Sequence, residues 1–204
     1  MEQTVKTMTA SPCGFQKIGV FGGSYNPVHC GHLQIAEAAR EQFGLDQVWF
    51  VPAWIQPFKQ GMQVVSASHR RQMLELALEP YPDFRICDYE LEKKGISYTC
   101  DTIQALQAAM PDTHLYFIMG ADSLDTFGTW YHPEKICACA SILAAVRHRT
   151  GKSDELQRQA DILRQSLNAD IHFLQTPFYN ISSTQIRQMD PKALAGQHLV
   201  PRSV

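Results

Sequence analysis

Apolar residues along the chain alternate between two patterns. Short apolar runs, which favour strands covered on both faces, occur at residues 17–21, 48–51, 84–87, 115–119, 142–146 and 171–174. Between them, apolar residues recur every three or four positions, as in helices with one buried face. This strand and helix alternation predicts an α/β protein with a mainly parallel sheet.

Capping residues and prolines predict where the helices begin and end. The first helix is expected from Gly31 to a C-cap at Gly44, and the second from a cap at Ser66 or Ser68 to a stop before Pro80. The remaining predictions are a charged turn or hairpin at residues 90–95, a helix capped by Thr99 or Asp101, and a helix beginning at Ser153. Residues 52–67 show no clear period and follow a strand end, where α/β proteins place ligand-binding loops.

Length and charge restrict the classes of protein that the chain can represent. Its 204 residues predict one domain, residues 17–204, after a polar and flexible leader at residues 1–16. A formal net charge of −2 provides no positive field for nucleic acid or an anionic membrane, and no segment resembles a membrane span. We therefore expect a cytoplasmic protein with neither partner.

The six cysteines lack the spacing of a disulfide framework, so we expect reduced thiols. Cys137 and Cys139, separated by one alanine, lie in an apolar stretch. They fit either small buried side chains or a pair of metal ligands.

The stretch at residues 22–32, GGSYNPVHCGH, is the strongest candidate for a functional site. Gly22 and Gly23 follow a strand, can adopt positive φ and let a phosphate approach the backbone. The following helix points its unpaired N–H groups and positive dipole end to the same place. His29 and His32 are three residues apart at the helix start, so both imidazoles can face one polyanion. A plain turn with two exposed histidines, or a zinc pair lacking an evident third ligand other than Cys30, is the alternative.

A second candidate anion site lies at residues 180–187, NISSTQIR. Its hydroxyls suit a helix N-cap, and Arg187 lies one turn into the helix that they open. Backbone N–H groups, hydroxyls and a guanidinium could converge there on a phosphate. The same residues also fit a simple capped helix.

Two further residues have both a functional and a structural interpretation. Asp122 lies just beyond the fourth strand, where a carboxylate can bind ribose hydroxyls or cap a helix. Trp130 lies near the same edge of the sheet and could stack on a ligand or pack in the core.

When the motifs at residues 22–32 and 180–187 are considered together, the chain resembles the HxGH nucleotidyltransferases and, within them, the bacterial nicotinate-nucleotide adenylyltransferases. Between GGSYNPVHCGH and ISSTQIR, the segments VWFVP, HRRQML, SYTCDT, YFIMGADSL and TWY follow in that family's order. The resemblance implies a Rossmann-like doubly wound, mainly parallel sheet with helices on both faces. It also implies transfer of the adenylyl group of ATP to the 5′-phosphate of nicotinate mononucleotide, giving nicotinate adenine dinucleotide and pyrophosphate in NAD biosynthesis. A monomer and a homo-oligomer fit it equally.

The resemblance also implies a role for individual residues. The catalytic groups would be His29, His32 and Arg187. ATP would be bound by Gly22, Gly23, Ser24, Gly120, Asp122, Arg147, Ser183 and Thr184. The mononucleotide would be bound by Tyr98, Thr99, Trp130 and Lys59. Mg²⁺ would arrive on the ATP phosphates, with no dedicated protein ligands, and Arg70 would contact phosphate or form an ion pair.

The chain departs from the family pattern at two positions within these motifs. Asn26 stands where aspartate is more common, which keeps hydrogen bonding but removes a charge. Phe58 stands where the substrate loop commonly has histidine. The shared ATP motifs also fit nicotinamide mononucleotide, phosphopantetheine or another phosphate acceptor, although the nicotinate-end motifs favour the acid. A nucleotide sensor without catalysis would be free to lose the histidine pair and the ISSTQIR segment, and both are intact here. A purely structural protein would leave the two anion motifs unexplained.

Overall fold

The structure is a computed structural model that describes residues 16–57, 64–146, 153–176, 181–189, 199–201 and 203–204. The leader expected at residues 1–16 lies outside this part, apart from Gln16. Lys59, Arg147 and Phe58 also lie outside it.

The described residues form one six-stranded sheet in which all neighbouring strands are parallel. Its strands are β1 (Lys17–Gly23), β2 (Gln47–Pro52), β3 (Phe84–Ile86), β4 (His114–Gly120), β5 (Ala140–Val146) and β6 (Ile171–Gln175). Their order is β3-β2-β1-β4-β5-β6, so the direction of winding reverses between β1 and β4. This is the strand order of a Rossmann-like doubly wound sheet, which confirms the predicted fold class.

The helices lie between the strands, as the sequence pattern predicts. They are α1 (Cys30–Phe43), α2 (Ala67–Leu78), α3 (Tyr89–Lys93), α4 (Thr99–Ala109), α5 (Leu124–Phe127), α6 (Pro133–Cys139), α7 (Ser153–Leu167) and α8 (Ser183–Gln188). A 3₁₀ turn, Ala121–Ser123, joins β4 to α5. Gly44 ends α1 in the left-handed conformation and Ser66 caps α2, both as predicted.

Two local predictions are wrong. Residues 90–95 do not form a hairpin, because Glu90 turns inward and residues 89–93 close a short helix. The cap of α4 is neither Thr99 nor Asp101 but Tyr98, without a side-chain bond. The Asp101 carboxylate is instead engaged by Lys93 at 2.5 Å.

Alternate residues of the central strands pack on opposite faces of the sheet, as a sheet covered on both sides requires. Val20 and Phe117 belong to a core formed with α4, α5, α6 and α7. Phe21 and Ile118 belong to a second core, formed with α1 and α2. Helices therefore cover both faces of the sheet, and its strand ends are left for loops.

The last described residues are bound to the first two helices. The Leu199 carbonyl accepts a hydrogen bond from the Cys30 N–H at 2.9 Å, and the Ser203 hydroxyl donates to the Leu76 carbonyl at 3.0 Å. Val204 packs against the core beneath α1 and α2. The beginning of α1 is thus held by a segment from the other end of the chain.

Within the described ranges, none of the helices combines the length and the apolar character that a membrane crossing needs.

Candidate active site

A cavity of about 320 Å³ opens at the carboxyl edge of the sheet, where the direction of winding reverses. Ligands of doubly wound folds bind at this position, because the loops after neighbouring strands diverge there. Residues from β1, β4 and the segments that follow β2, β3 and β4 line the cavity, and they include Gly22, Gly23, Gln56, Glu90, Ser97, Tyr98, Thr99, Phe117, Gly120, Ser123, Trp130 and Tyr131.

The predicted mononucleotide-binding residues Tyr98, Thr99 and Trp130 share this cavity. The Trp130 ring packs against Phe127, with ring centroids 5.3 Å apart, and also faces the cavity. The packing and ligand-facing interpretations of Trp130 are therefore compatible. Tyr98, also in the cavity lining, lies against Tyr131, with ring centroids 4.4 Å apart, so aromatic rings form part of the cavity wall.

The two histidines of the first motif form a stacked pair at the start of α1. His29 is the N-cap residue and is buried, and its ring lies 3.7 Å from that of His32 between centroids, at 29°. The His29 N–H donates to Nδ1 of His32 at 3.2 Å, so this nitrogen is an acceptor and the proton of neutral His32 lies on Nε2. The His32 ring lies 5.9 Å from that of Phe21, which lines the cavity, so the imidazole pair adjoins it.

The N–H groups at the start of α1 are less available than the sequence suggests. Cys30 donates to the Leu199 carbonyl, and the N–H of His32 donates to the His29 carbonyl, both at 2.9 Å. The expectation of several unpaired N–H groups facing phosphate is therefore wrong for these two. The backbone N–H groups of Cys30 and His32 are thus already paired with carbonyls of the chain itself.

The glycines of the first motif make room for rings. Gly22 and Gly23 belong to β1 and neither has a positive φ, so the expected positive φ is wrong. A Cβ on Gly23 would lie 3.0 Å from the Tyr25 ring, and one on Gly31 would lie 3.1 Å from Nδ1 of His29. The residue with positive φ in this turn is Tyr25, at 47°.

The second motif lies directly against the first. The Ser183 hydroxyl donates to the Pro27 carbonyl at 2.9 Å, and Nη1 of Arg187 donates to the Asn26 carbonyl at 2.5 Å. Nη2 of Arg187 also donates to the Thr184 hydroxyl at 3.3 Å. The structure thus brings the guanidinium and hydroxyls onto the loop that carries the histidines. The cap itself is Ser182, in a capping box with Gln185.

Other predicted residues fit their expectations less well. Asp122 is exposed in the 3₁₀ turn and is not the cap of either adjoining helix, while its neighbour Ser123 lines the cavity. Arg70 is only 2 % exposed, and it donates to the carbonyls of Ser24 at 2.8 Å and of Val65 at 3.0 Å. The expected phosphate contact or ion pair of Arg70 is therefore wrong. Its guanidinium instead fixes the loop that contains Ser24.

Glu90 is a cavity-lining residue that the sequence analysis did not single out. It is buried, and its carboxylate accepts a hydrogen bond from Thr102 at 2.6 Å. Burial raises the pKa of Glu90, and hydrogen bonds from Thr102 and Ser97 oppose that rise in part. The sequence signal was a polar residue in an inward position of a short charged segment, which is too weak to identify it.

The described residues contain no group of three His, Cys, Asp or Glu side chains placed to hold a metal ion. Cys137 and Cys139 lie in α6, and burial raises the pKa of Cys137 to about 11. Its thiol is therefore protonated at neutral pH, and both cysteines are partly buried against the core, which fits apolar packing better than metal ligation.

Comparison with known proteins is consistent with this site. A family model described as cytidylyltransferase-like matches residues 20–189. A probable nicotinate-nucleotide adenylyltransferase of Carboxydothermus hydrogenoformans is 42 % identical over 188 residues, covering 92 % of each chain. One from Salinibacter ruber is 36 % identical over 187 residues, again covering 92 % of each. Among solved structures, a Plasmodium falciparum nicotinic acid mononucleotide adenylyltransferase complexed with NaAD has a TM-score of 0.72 at 16 % identity, covering 89 % of both chains.

The fold, the stacked histidines and the family match together define a nucleotidyltransferase of the cytidylyltransferase-like class. The curated relatives narrow the class further. The chain belongs to the nicotinate-nucleotide adenylyltransferase family.

Proposed function

We propose that this protein transfers the adenylyl group of ATP to the 5′-phosphate of nicotinate mononucleotide and releases pyrophosphate. The observation that carries the proposal is the meeting of two distant segments beside one cavity. Ser183 and Arg187 bind the loop that leads to His29, and the paired imidazoles adjoin a cavity with Tyr98 and Trp130 in its wall. Such a site can hold a triphosphate and a second nucleotide together.

In this reaction an oxygen of the mononucleotide phosphate attacks the α-phosphorus of ATP. The bond from that phosphorus to the bridging oxygen breaks, and its electron pair leaves with pyrophosphate. No protein nucleophile is needed, so positioning and charge stabilisation provide the catalysis. The His32 Nε2–H, set by the bond to Nδ1, would donate to a phosphate oxygen as negative charge develops, and His29 would support it.

The remaining phosphate contacts would come from the second motif and the first turn. Arg187, Ser183 and Thr184 would hold the β- and γ-phosphates, while Gly22, Gly23 and Ser24 would let backbone approach the reacting phosphates. Gly120 and Asp122 would lie near the adenosine, with Arg147 at the far end of that pocket. Lys59 would contact the mononucleotide.

Mg²⁺ would enter as part of the MgATP substrate. The residues that face the phosphates are imidazoles, hydroxyls and a guanidinium, which bind anions, whereas Mg²⁺ prefers carboxylate and water oxygens. The ion would therefore keep ligands from the triphosphate and water, and it would neutralise charge on the phosphates.

Selectivity for the acid over the amide would come from the start of α4. Tyr98 and Thr99 place this end of an eleven-residue helix in the cavity wall. The positive end of a helix dipole favours a carboxylate over an amide by about 0.3–1 kcal/mol, and hydrogen bonds to a charged group add to that. We expect turnover with nicotinate mononucleotide to exceed turnover with nicotinamide mononucleotide by at least about tenfold, or about 1.4 kcal/mol.

The test is pyrophosphate release from ATP and Mg²⁺ against a panel of phosphate acceptors that includes both mononucleotides. Equal rates for the acid and the amide would contradict the proposed selectivity. ATP binding without pyrophosphate release for any acceptor would replace the proposed enzyme with a nucleotide sensor.

We also infer a cytoplasmic location. The five described cysteines are free thiols, which suits a reducing compartment.

A further inference from the structure

Glu90 lies where three segments that border the cavity meet. It projects from α3 into the cavity wall, although only 7 % of its surface is exposed. Its carboxylate accepts hydrogen bonds from the Thr102 hydroxyl, on the first turns of α4, and from the Ser97 side chain, just before that helix. One buried group therefore holds both sides of the turn that carries Tyr98 and Thr99.

Ser97 extends this contact to the loop after β2. Its hydroxyl oxygen accepts the Trp54 N–H at 2.9 Å, and its own N–H donates to the Ile55 carbonyl at 2.9 Å. Ile55 and Ile96 also form an isolated parallel bridge. The loop after β2, the start of α4 and α3 are thus joined through Ser97 and Glu90.

The hydrogen-bonding pattern suits a carboxylate at this position. Two hydroxyl donors converge on it, and only an ionised carboxylate offers two acceptor oxygens with no donor of its own. Lys93 is engaged by Asp101 at 2.5 Å, so it does not form the close ion pair that would offset the burial of Glu90. Burial accordingly raises the pKa of Glu90, and stability alone would be served better by an apolar residue.

We propose that Glu90 is a positioning residue for the mononucleotide: by accepting from Ser97 and Thr102, it fixes the turn at residues 97–99 in the orientation that receives the nicotinate end. This inference rests on the proposed function. Glu90 acts through the turn and not on the phosphates, because the histidines and Arg187 belong to other segments. Loss of Glu90 therefore weakens the binding of one substrate and not of the other.

The experiment measures KM for nicotinate mononucleotide and for MgATP separately in Glu90→Ala and Glu90→Gln. Glu90→Ala leaves both hydroxyls without their acceptor, and the expected rise in KM for the mononucleotide is about tenfold. Glu90→Gln keeps one acceptor oxygen, so the expected rise is about threefold. KM for MgATP should stay within about twofold of wild type in both variants.

Glu92→Gln is the matched control, since it makes the same change on an exposed residue of the same helix, and both KM values should remain at the wild-type level. Should Glu90→Ala fail to fold, Thr102→Val removes one donor at nearly equal volume and should also raise KM for the mononucleotide selectively. Thermal unfolding is recorded for every variant.

Equal rises in both KM values, or unchanged KM values with a lower melting temperature, would show a merely structural role and overturn the inference. Wild-type turnover is measured first. If wild type does not use nicotinate mononucleotide, the proposed function fails and this inference fails with it. If wild type turns over and the Glu90 variants show no selective effect, the inference alone fails.

Discussion

Two pairs of histidines lie at opposite edges of the sheet, His29 with His32 at the carboxyl edge and His114 with His172 at the amino edge. At the amino edge, Nε2 of His114 lies 2.8 Å from the Ser141 hydroxyl, which donates to Asp170 at 2.6 Å. Nε2 of His172 lies 2.9 Å from the same carboxylate. At the carboxyl edge the two rings face each other and adjoin the cavity.

The difference shows how partners decide what a histidine does. Asp170 and Ser141 engage the amino-edge imidazoles, which join β4, β5 and the start of β6. The carboxyl-edge imidazoles are oriented through the helix backbone, and they lie where the strand order reverses. In this fold ligands bind at that second position. The amino-acid type alone would not distinguish the functional histidine pair from the structural one.

Replacing His32 should have the largest effect on activity. His32→Ala removes a donor aimed at developing charge, and we expect kcat to fall about 10²- to 10³-fold with little change in melting temperature. His172→Ala is the matched change at the amino edge and should keep near-normal kcat. Steady-state pyrophosphate release measures both. Similar losses of kcat in the two variants would contradict the functional distinction between the two histidine pairs.

Gly31→Ala should have an intermediate effect that separates activity from stability. The new Cβ would lie 3.1 Å from Nδ1 of His29, so the imidazole must shift, and we expect an approximately tenfold loss of kcat. Alanine favours a helix over glycine by about 1 kcal/mol, which offsets the crowding, so stability should change little. Gly128→Ala, whose Cβ would meet Leu163 at an ordinary 3.7 Å, is the control for activity. A normal kcat in Gly31→Ala would show that the position of His29 tolerates displacement.

Asp170→Asn should have the smallest effect, on stability alone. Burial raises the pKa of Asp170, but hydrogen bonds from Ser141 and His172 and the charges of His172 and His114 outweigh it, so the pKa lies below its ordinary value. A carboxyl with a lowered folded-state pKa stabilises the fold above its unfolded pKa, and this stabilisation is lost as the pH falls through the folded pKa. Since the pair is largely exposed, we expect a loss of about 0.5 kcal/mol at pH 7.

Urea unfolding at several pH values measures this loss. The difference between wild type and Asp170→Asn should begin to shrink below about pH 4, where the carboxyl of the unfolded chain becomes protonated, and should vanish once the pH is below the lowered folded-state pKa. A constant difference across pH would assign the effect to packing.

The strand pattern of this fold could be predicted from sequence because each central strand is an apolar run covered on both faces. The histidine pair could be predicted because its spacing is local. The helix α3 could not, since its buried residue is Glu90 and only Tyr89 packs an aromatic ring against the core, so it lacks an apolar period. Burial of Glu90 depends on hydroxyls from another helix, which local spacing does not reveal.

The hydrogen bonds between the site and main-chain carbonyls could not be predicted from local sequence patterns either. Neither the bond from Cys30 to the Leu199 carbonyl nor the three main-chain carbonyls around Arg70 have a side-chain signal in the sequence. The positive φ expected at Gly22 and Gly23 was wrong for a related reason. The ring that limits Gly23 belongs to Tyr25, two residues on, and only the fold turns it back.

The bond between Cys30 and Leu199 has a consequence for synthesis of the protein. A nascent chain is made from its N-terminus, so the residues of α1 are synthesised long before Leu199. The first turn of α1 gains its final acceptor only after Leu199 has left the ribosome. A product truncated before Leu199 would therefore lack the acceptor of the N–H group that directly follows His29.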